Sequence, residues 1–173
     1  MFKNRIELLS IIPQDSVVAE LGVFIGEYSQ KILNIVKPSK LYLVDVFKEG
    51  NAHSSGIHVK DLSLYYGTLC RKYLKDKRVE VVKASTTDFL NSLPKDTLDA
   101  VYIDADHSHE AVKQDLCNSY EKVKPSGFIM GHDYDRQEVQ KAVEEFCNSY
   151  KQSIYLVTKE PQPSFVIRKG TRE

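Results

Sequence analysis

The sequence predicts an α/β fold, a doubly wound and mostly parallel sheet that ends in an antiparallel hairpin. Five strand-like runs rich in β-branched residues alternate with helical patterns, at about residues 16–21, 41–46, 79–83, 98–104 and 126–131. Such alternation is typical of a parallel sheet covered by helices. Two further runs, 153–158 and 164–169, are joined by a linker too short to hold a crossover helix. These last two strands must therefore be antiparallel if they pair, which gives seven strands in all.

The helices are predicted from apolar residues that recur at intervals of three and four. The apolar faces of three helices are formed by Tyr28, Ile32, Ile35 and Val36, by Val112, Leu116, Tyr120 and Val123, and by Val139, Val143, Phe146 and Tyr150. Pro38 ends the first helix, and Pro125 begins the segment that ends the second. Residues 1–173 are predicted to form one domain, in which residues 1–13 hold a short helix. Residues 47–60 show little periodicity and are predicted to form a flexible flap.

Composition narrows the classes of partner. Lys plus Arg and Asp plus Glu both number 24, so the zero net charge gives no support for nucleic acid or an anionic membrane as a partner. The three cysteines lie far apart without CxxC spacing, which indicates neither a disulfide framework nor a zinc site. No run approaches the roughly 20 apolar residues of a membrane span. We expect a cytoplasmic protein that acts on a small molecule, with a homodimer left open.

The first strand runs into the loop Gly22-Val23-Phe24-Ile25-Gly26, which opens a helix. Glycines let the backbone approach a ligand closely, and a helix N-terminus favours an anionic group. A dinucleotide pyrophosphate favours G-x-G-x-x-G, whose middle glycine is absent here. Glu20, at the end of the strand, would also repel a pyrophosphate and suits a ligand with an ammonium group instead. The alternative is an ordinary strand-to-helix turn in which the glycines serve packing.

Polar residues also follow the second and third strands. Asp45 ends the second strand roughly 20 residues after the glycine loop, where an acid can accept both hydroxyls of an adenosine ribose. Ser85 and Thr86 follow the third strand and could meet an adenine edge. Ser85 is equally suited to cap the next helix, with Asp88 completing a variant of the capping box.

The fourth strand stops on Asp104, Asp106 and His107. In an open parallel sheet, ligands bind beyond the carboxyl ends of the strands. A carboxylate that ends a buried strand is costly unless it has a partner, so Asp104 is predicted to be functional. As a histidine, His107 could act as a base; the alternative is a residue that only precedes the helix cap Ser108.

Together these motifs resemble those of class I S-adenosylmethionine-dependent methyltransferases. The closest-looking group has a D-x-D-H-S-Y-E-x-V-x-x-D-L signature and overlaps the metal-dependent O-methyltransferases of the catechol and caffeoyl-coenzyme A type. The matching motifs are Glu20-Leu21-Gly22 with Gly26, Asp45, Asp104-Ala105-Asp106-His107 with Val112 and Asp115-Leu116, and Gly131-His132-Asp133-Tyr134. The resemblance covers about residues 15 to 170. It implies the Rossmann-like class I methyltransferase fold, with its seven-stranded sheet and C-terminal antiparallel hairpin.

The resemblance also implies a cofactor site. The residues expected to bind S-adenosylmethionine are Glu20, Gly22, Phe24, Gly26, Asp45, Ser85, Thr86 and Asp104. Glu20 and the loop glycines would line the methionine end, and Asp45 would hold the ribose. Ser85 and Thr86 would lie near adenine, where relatives often have an acid in place of Ser85.

Metal binding and catalysis are carried over in the same way. Asp104, His132 and Asp133 match the metal ligands of the resembling enzymes, with Mg²⁺ or Mn²⁺ as the expected ion. His132 stands where relatives have an acid, which favours Mn²⁺, Fe²⁺ or Zn²⁺ or means that the metal site is lost. His107 stands where the catechol-type enzymes have lysine, so Asp104 and His107 are the expected catalytic residues.

The expected reaction is O-methylation of a small-molecule or sugar-like hydroxyl, with a divalent metal as an optional aid. One alternative is a metal-free N- or O-methyltransferase. Another, from a different class, is a nucleotide- or NAD-binding module without methyl transfer.

Overall fold

A seven-stranded, doubly wound sheet organises the fold in the computed structural model, which describes residues 2–50, 52–54 and 57–171. The strands of this sheet are β1 (Val17–Leu21), β2 (Lys40–Asp45), β5 (Val79–Lys83), β6 (Leu98–Ile103), β7 (Val123–Gly131), β8 (Ile154–Val157) and β9 (Phe165–Arg168). A separate two-stranded sheet is formed by β3 (Ala52–Ser54) and β4 (Ile57–Val59). The helices are α1 (Arg5–Leu8), α2 (Glu27–Ile35), α3 (Ser63–Tyr73), α4 (Thr86–Ser92), α5 (His109–Lys122) and α6 (Gln137–Tyr150).

The strand order of the large sheet is β5-β2-β1-β6-β7-β9-β8. The pairs from β5 to β7 are parallel, and β9 pairs antiparallel with both β7 and β8. The predicted mostly parallel sheet with a C-terminal antiparallel hairpin is therefore confirmed. The strand order reverses between β1 and β6, and this switch point is where doubly wound sheets bind ligands.

Two hydrophobic cores lie on the two faces of the sheet. One contains buried residues of α1, α2 and α3, including Leu8, Ile32 and Leu69. The other contains buried residues of α4, α5 and α6. Along β1, Val18 belongs to the first core and Ala19 to the second, as the period of two in a strand requires.

The boundary between α5 and β7 differs from the predicted one. The helical spacing placed Val123 on the apolar face of the helix and started the strand at residue 126. In the structure α5 ends at Lys122, and Val123 is extended and pairs with Leu98. The reason is local, because Lys124 precedes Pro125 and a residue before proline disfavours the helical region. The ladder is irregular between Leu98 and its resumption at residue 100, which absorbs the residues that follow Val123.

Residues 1–13 and 47–60, which lie outside the predicted strands of the large sheet, both contain some regular secondary structure. Within residues 1–13, α1 is followed by a 3-10 turn at Leu9–Ile11, and Asn4 caps α1. Residues 47–60, the predicted flap, contain the antiparallel pair β3 and β4, while residues 51, 55 and 56 lie outside the described residues. Flexibility of this segment stays a prediction. Over the described ranges, no helix combines the length and apolar character needed to cross a bilayer.

Candidate active site

A cavity of about 520 Å³ lies beyond the carboxyl ends of β1, β2 and β6. Its volume falls within the range of pockets that bind cofactors and other small ligands. Of the eight residues predicted to bind the cofactor, seven line this cavity, namely Glu20, Gly22, Phe24, Asp45, Ser85, Thr86 and Asp104. His107, the predicted base, lines it as well.

The first glycine of the loop is required by the close approach of two chains. Gly22 has a φ of 90°, and a Cβ atom built on it would lie 2.0 Å from the carbonyl oxygen of Asp104. Its N–H donates to the carbonyl of Val44 at 2.9 Å, which continues the sheet one residue past β1. The loop therefore crosses directly over the end of β6, and this brings Glu20 and Asp104 to the same part of the cavity.

The second glycine of the loop lies where α2 begins and packs against α3. Gly26 does not line the cavity but precedes the first residue of α2, with a φ of 81°. A Cβ atom on it would lie 2.6 Å from a methyl carbon of Leu69 in α3. Gly26 thus allows the start of α2 to pack against α3, and its contact with a cofactor stays a prediction.

Asp45 orders the loop that follows β1. One carboxylate oxygen accepts hydrogen bonds from the main-chain N–H groups of Val23 and Phe24, each at 2.9 Å. The other oxygen accepts from the N–H of Phe47 at 2.8 Å. A carboxylate offers about four acceptor positions, so these three bonds leave room for one more donor. The predicted binding of the ribose hydroxyls by Asp45 stays a prediction.

The hydroxyls at the end of β5 are also engaged. Ser85 caps α4, accepting from the N–H of Asp88 at 3.0 Å and donating to its carboxylate at 2.7 Å. Thr86 donates to the carboxylate of Asp115, which likewise lines the cavity. Burial raises the pKa of Asp115 to about 6. Ser85 therefore caps α4, as the capping alternative expected, and it also lines the cavity with Asp115.

Glu20 is buried at the end of β1 with only 2% of its surface exposed. The hydroxyl of Ser29, in α2, donates to its carboxylate. Burial raises the pKa of Glu20 to about 8, and nearby Asp104 and Asp45 act in the same direction, while Ser29 and Arg5 oppose the shift. An ammonium group in the cavity would relieve this cost of ionisation.

The end of β6 meets the end of β7 in a cluster of two acids and two histidines. Nε2 of His107 lies 3.4 Å from Asp104 and 3.1 Å from Asp133. Nδ1 of His132 lies 3.7 Å from Asp104 and 3.2 Å from Asp133. The main-chain N–H of His132 donates to Ile103 at 3.0 Å, so the continued sheet pairing places β7's end beside that of β6.

Hydrogen bonds in this cluster set its charge states. Burial opposes ionisation of Asp104, but contacts with His107, His132 and Arg5 hold its pKa well below the usual range. Burial likewise opposes protonation of His132, but Asp104 and Asp133 raise its pKa to about 9. The pKa of Asp133 is lowered, chiefly by His132. Both acids are therefore ionised at neutral pH.

Three residues of this cluster lie close enough together to hold a metal ion, but they are not the three that were predicted. Ligand atoms of Asp104, His107 and Asp133 all lie within 4.8 Å of one another. His132, predicted as the third ligand, is not in this group, although its Nδ1 lies 3.7 Å from Asp104 and 3.2 Å from Asp133. His107, predicted as a base, takes its place in the geometry.

Two arginines already neutralise the acids of this cluster, and neither was found from the sequence. Nη1 of Arg5 lies 3.1 Å from Asp104, and Nε of Arg136 lies 2.9 Å from Asp133. With the histidine contacts, all four carboxylate oxygens have a nitrogen partner. A divalent cation is held by oxygen ligands that are available to it. The donor atoms are close together, but as arranged they do not fit a metal ion.

A family model described as "Methyltransferase domain" matches residues 19–134. This range contains every residue that the sequence predicted for cofactor binding, metal binding or catalysis. The search of curated proteins finds no match.

Solved structures of low sequence identity share the fold. A putative rRNA-methylase from Clostridium thermocellum has a TM-score of 0.71 at 15% identity, over 100% of this chain and 99% of that chain. The N-methyltransferase NodS from Bradyrhizobium japonicum has a TM-score of 0.66 at 12% identity, over 96% and 93% of the two chains. Fibrillarin from Aeropyrum pernix, in complex with natively bound S-adenosyl-L-methionine, has a TM-score of 0.64 at 10% identity, over 90% and 67%.

Proposed function

The chain belongs to the family described as Methyltransferase domain and is a class I S-adenosylmethionine-dependent methyltransferase, and we propose that it methylates a hydroxyl of a small-molecule or sugar-like acceptor. The observation that carries the proposal is the cavity at the switch point, where a buried acid, the glycine loop and His107 share one wall. When bound, S-adenosylmethionine supplies a methyl group on a sulfonium sulfur, which an oxygen nucleophile attacks in line.

Residues that line the cavity include a candidate partner for each polar part of this cofactor. The buried carboxylate of Glu20 lies beside the glycine loop and suits the methionine ammonium. The remaining acceptor position of Asp45 suits one ribose hydroxyl. Asp115, held by Thr86, offers a carboxylate to the exocyclic amine of adenine.

His107 is proposed to take the proton of the acceptor hydroxyl. Its Nε2 faces two ionised carboxylates, which only accept hydrogen bonds, so this nitrogen carries the hydrogen. In the neutral imidazole the other nitrogen, Nδ1, is then a proton acceptor. Asp133 thus fixes the tautomer and orients the ring, as the carboxylate of a catalytic triad does.

This arrangement favours methyl transfer without a metal over the metal-assisted form that the resemblance implied. A metal ion on Nε2 would need the position that the two carboxylates give to a hydrogen. The net charge of zero likewise favours a small acceptor over a nucleic acid, whose binding calls on clustered positive charge.

Calorimetric titration with S-adenosylhomocysteine and with NAD⁺ tests the cofactor. We expect S-adenosylhomocysteine to bind and NAD⁺ to give no heat of binding. Binding of NAD⁺ alone would contradict the proposal and favour a dinucleotide-binding module.

Transfer of radiolabelled methyl groups to a panel of catechols, sugars and hydroxy acids tests the acceptor class. For an acceptor found in this way, His107→Gln should lower kcat by about 10² to 10⁴, the usual contribution of a general base. His109→Gln is the matched control, because His109 pairs with Glu145 and does not line the cavity. Equal loss in both variants would contradict a role for His107 as the base.

A further inference from the structure

Arg5 reaches the active-site cluster from the N-terminal segment, far from it in sequence. Its guanidinium lines the cavity, and Nη1 lies 3.1 Å from Oδ2 of Asp104. The carboxylate that would hold a metal in the resembling enzymes is thus already in an ion pair with a residue of this chain.

Arg5 is held in this position by several contacts. Asn4 accepts hydrogen bonds from the N–H groups of Ile6 and Glu7 at 3.0 and 2.9 Å, which fixes the turn that carries Arg5. The hydroxyl of Tyr28 donates to the carbonyl of Arg5 at 3.0 Å, and the guanidinium lies 4.9 Å from the Tyr28 ring centre. With its main chain and its stem both anchored, the side chain is only 30% exposed.

Each of the two acids in the cluster forms an ion pair with an arginine. Asp104 pairs with Arg5, and Asp133, of which 7% of the side chain is exposed, pairs with Arg136. Two carboxylates face two guanidinium groups, which stay charged at any pH a protein experiences. The attraction that draws a divalent cation to a pair of acids is therefore already used.

We infer that Arg5 is a positioning residue that takes the place of a divalent metal beside Asp104, so that this methyltransferase works without one. Arg5 fixes the Asp104 carboxylate and supplies the positive charge that a metal would bring to the acceptor end of the cavity. The inference adds to the proposed function. It rests on that function for the reaction at the site, whereas the ion pair between Arg5 and Asp104 is independent of it.

Titration of the full chain with Mn²⁺ alone, followed by the EPR signal of the free ion, tests the inference. Wild-type protein should leave the free-ion signal unchanged at equimolar Mn²⁺. Arg5→Gln releases Asp104 and should bind Mn²⁺ at least roughly tenfold more tightly than wild type, about 1.4 kcal/mol. Arg5→Lys keeps a cation at this place and should behave as wild type does.

Two further variants complete the experiment. Arg136→Gln removes the other guanidinium from an exposed side chain and should also gain affinity for Mn²⁺, which keeps the test open if Arg5→Gln does not fold. Arg78→Gln breaks a comparable ion pair with Asp76 away from the cavity and should show no gain.

Stoichiometric binding of Mn²⁺ by wild-type protein that is lost in Asp133→Asn would overturn the inference. So would the absence of any gain in both Arg5→Gln and Arg136→Gln, or an equal gain in Arg5→Lys. Failure of the proposed function is separate, because it would appear as a lack of S-adenosylhomocysteine binding, whatever the Mn²⁺ titrations show.

Discussion

Binding of S-adenosylhomocysteine should strengthen with rising pH, because Glu20 must ionise to receive the ligand's ammonium group. In the free protein, burial raises the pKa of Glu20 to about 8. An adjacent cation favours the ionised form, so the pKa falls in the complex and binding releases a proton. The perturbation is Glu20→Gln, which keeps the shape of the side chain and removes the titration.

The size of the effect follows from the ionised fraction. With a pKa of about 8, roughly 1% of Glu20 is ionised at pH 6 and about half at pH 8. Affinity should therefore rise by up to about 50-fold over this interval, or about 2.3 kcal/mol. The ligand's own amine titrates equally for wild type and variant, so the ratio of their affinities isolates Glu20.

Calorimetry at pH 6, 7 and 8, repeated in buffers of different ionisation enthalpy, measures both affinity and released protons. Wild type should release close to one proton per ligand at pH 7 relative to Glu20→Gln. Glu80→Gln, on the outer strand β5 in an ion pair with Lys40, is the control and should follow wild type. A constant ratio of wild-type to Glu20→Gln affinity across these pH values would refute the reasoning.

Five further outcomes are expected. Without cofactor, the raised pKa of Glu20 stabilises the fold fully below about pH 4.5 and this stability is lost as pH rises through about 8, so Glu20→Gln should raise Tm at pH 8.5 but not at pH 4. Gly22→Ala should lower the free energy of unfolding in urea by several kcal/mol, about 3 or more, because its Cβ would meet a carbonyl oxygen at 2.0 Å. Gly50→Ala, with a φ of 95° and no atom within 4 Å, should cost only about 1 kcal/mol. Asp45→Asn should weaken S-adenosylhomocysteine binding about tenfold, because an amide cannot accept all three loop N–H bonds. Lys169→Met should lower the free energy of unfolding by about 2 to 4 kcal/mol in the same urea assay, because its buried ammonium donates to two carbonyls at 2.6 and 2.7 Å.

The fold could be predicted because its signals are local and repeated. The alternation of strand and helix patterns fixed a parallel sheet, and the short linker before Phe165 required the antiparallel hairpin. The error at Val123 had a local cause as well, because an apolar residue at helical spacing also suits the first position of a buried strand. Pro125, two residues later, favours the strand over the helix at Val123. The prediction gave more weight to the helical spacing than to this proline.

The sequence could predict active-site residues only where they come at the end of a strand. Glu20, Asp45 and Asp104 follow apolar runs, and parallel strands bring their carboxyl ends to one edge of the sheet. What each carboxylate contacts depends on chains that are remote in sequence. Asp45 accepts hydrogen bonds from the glycine loop 21 and 22 residues before it, and its position at the end of a strand does not reveal these contacts.

Arg5 is the clearest case of information that the sequence pattern lacks. It lies 99 residues from Asp104, in a four-residue helix that carries no strand-end signal. A resemblance based on motifs identifies the acids of a metal site but not the cationic side chains that surround them. His132 in place of an acid was the sequence's one indication that the site had changed. In the structure the two remaining acids pair with Arg5 and Arg136, and the inferred replacement of a metal by Arg5 would account for that change.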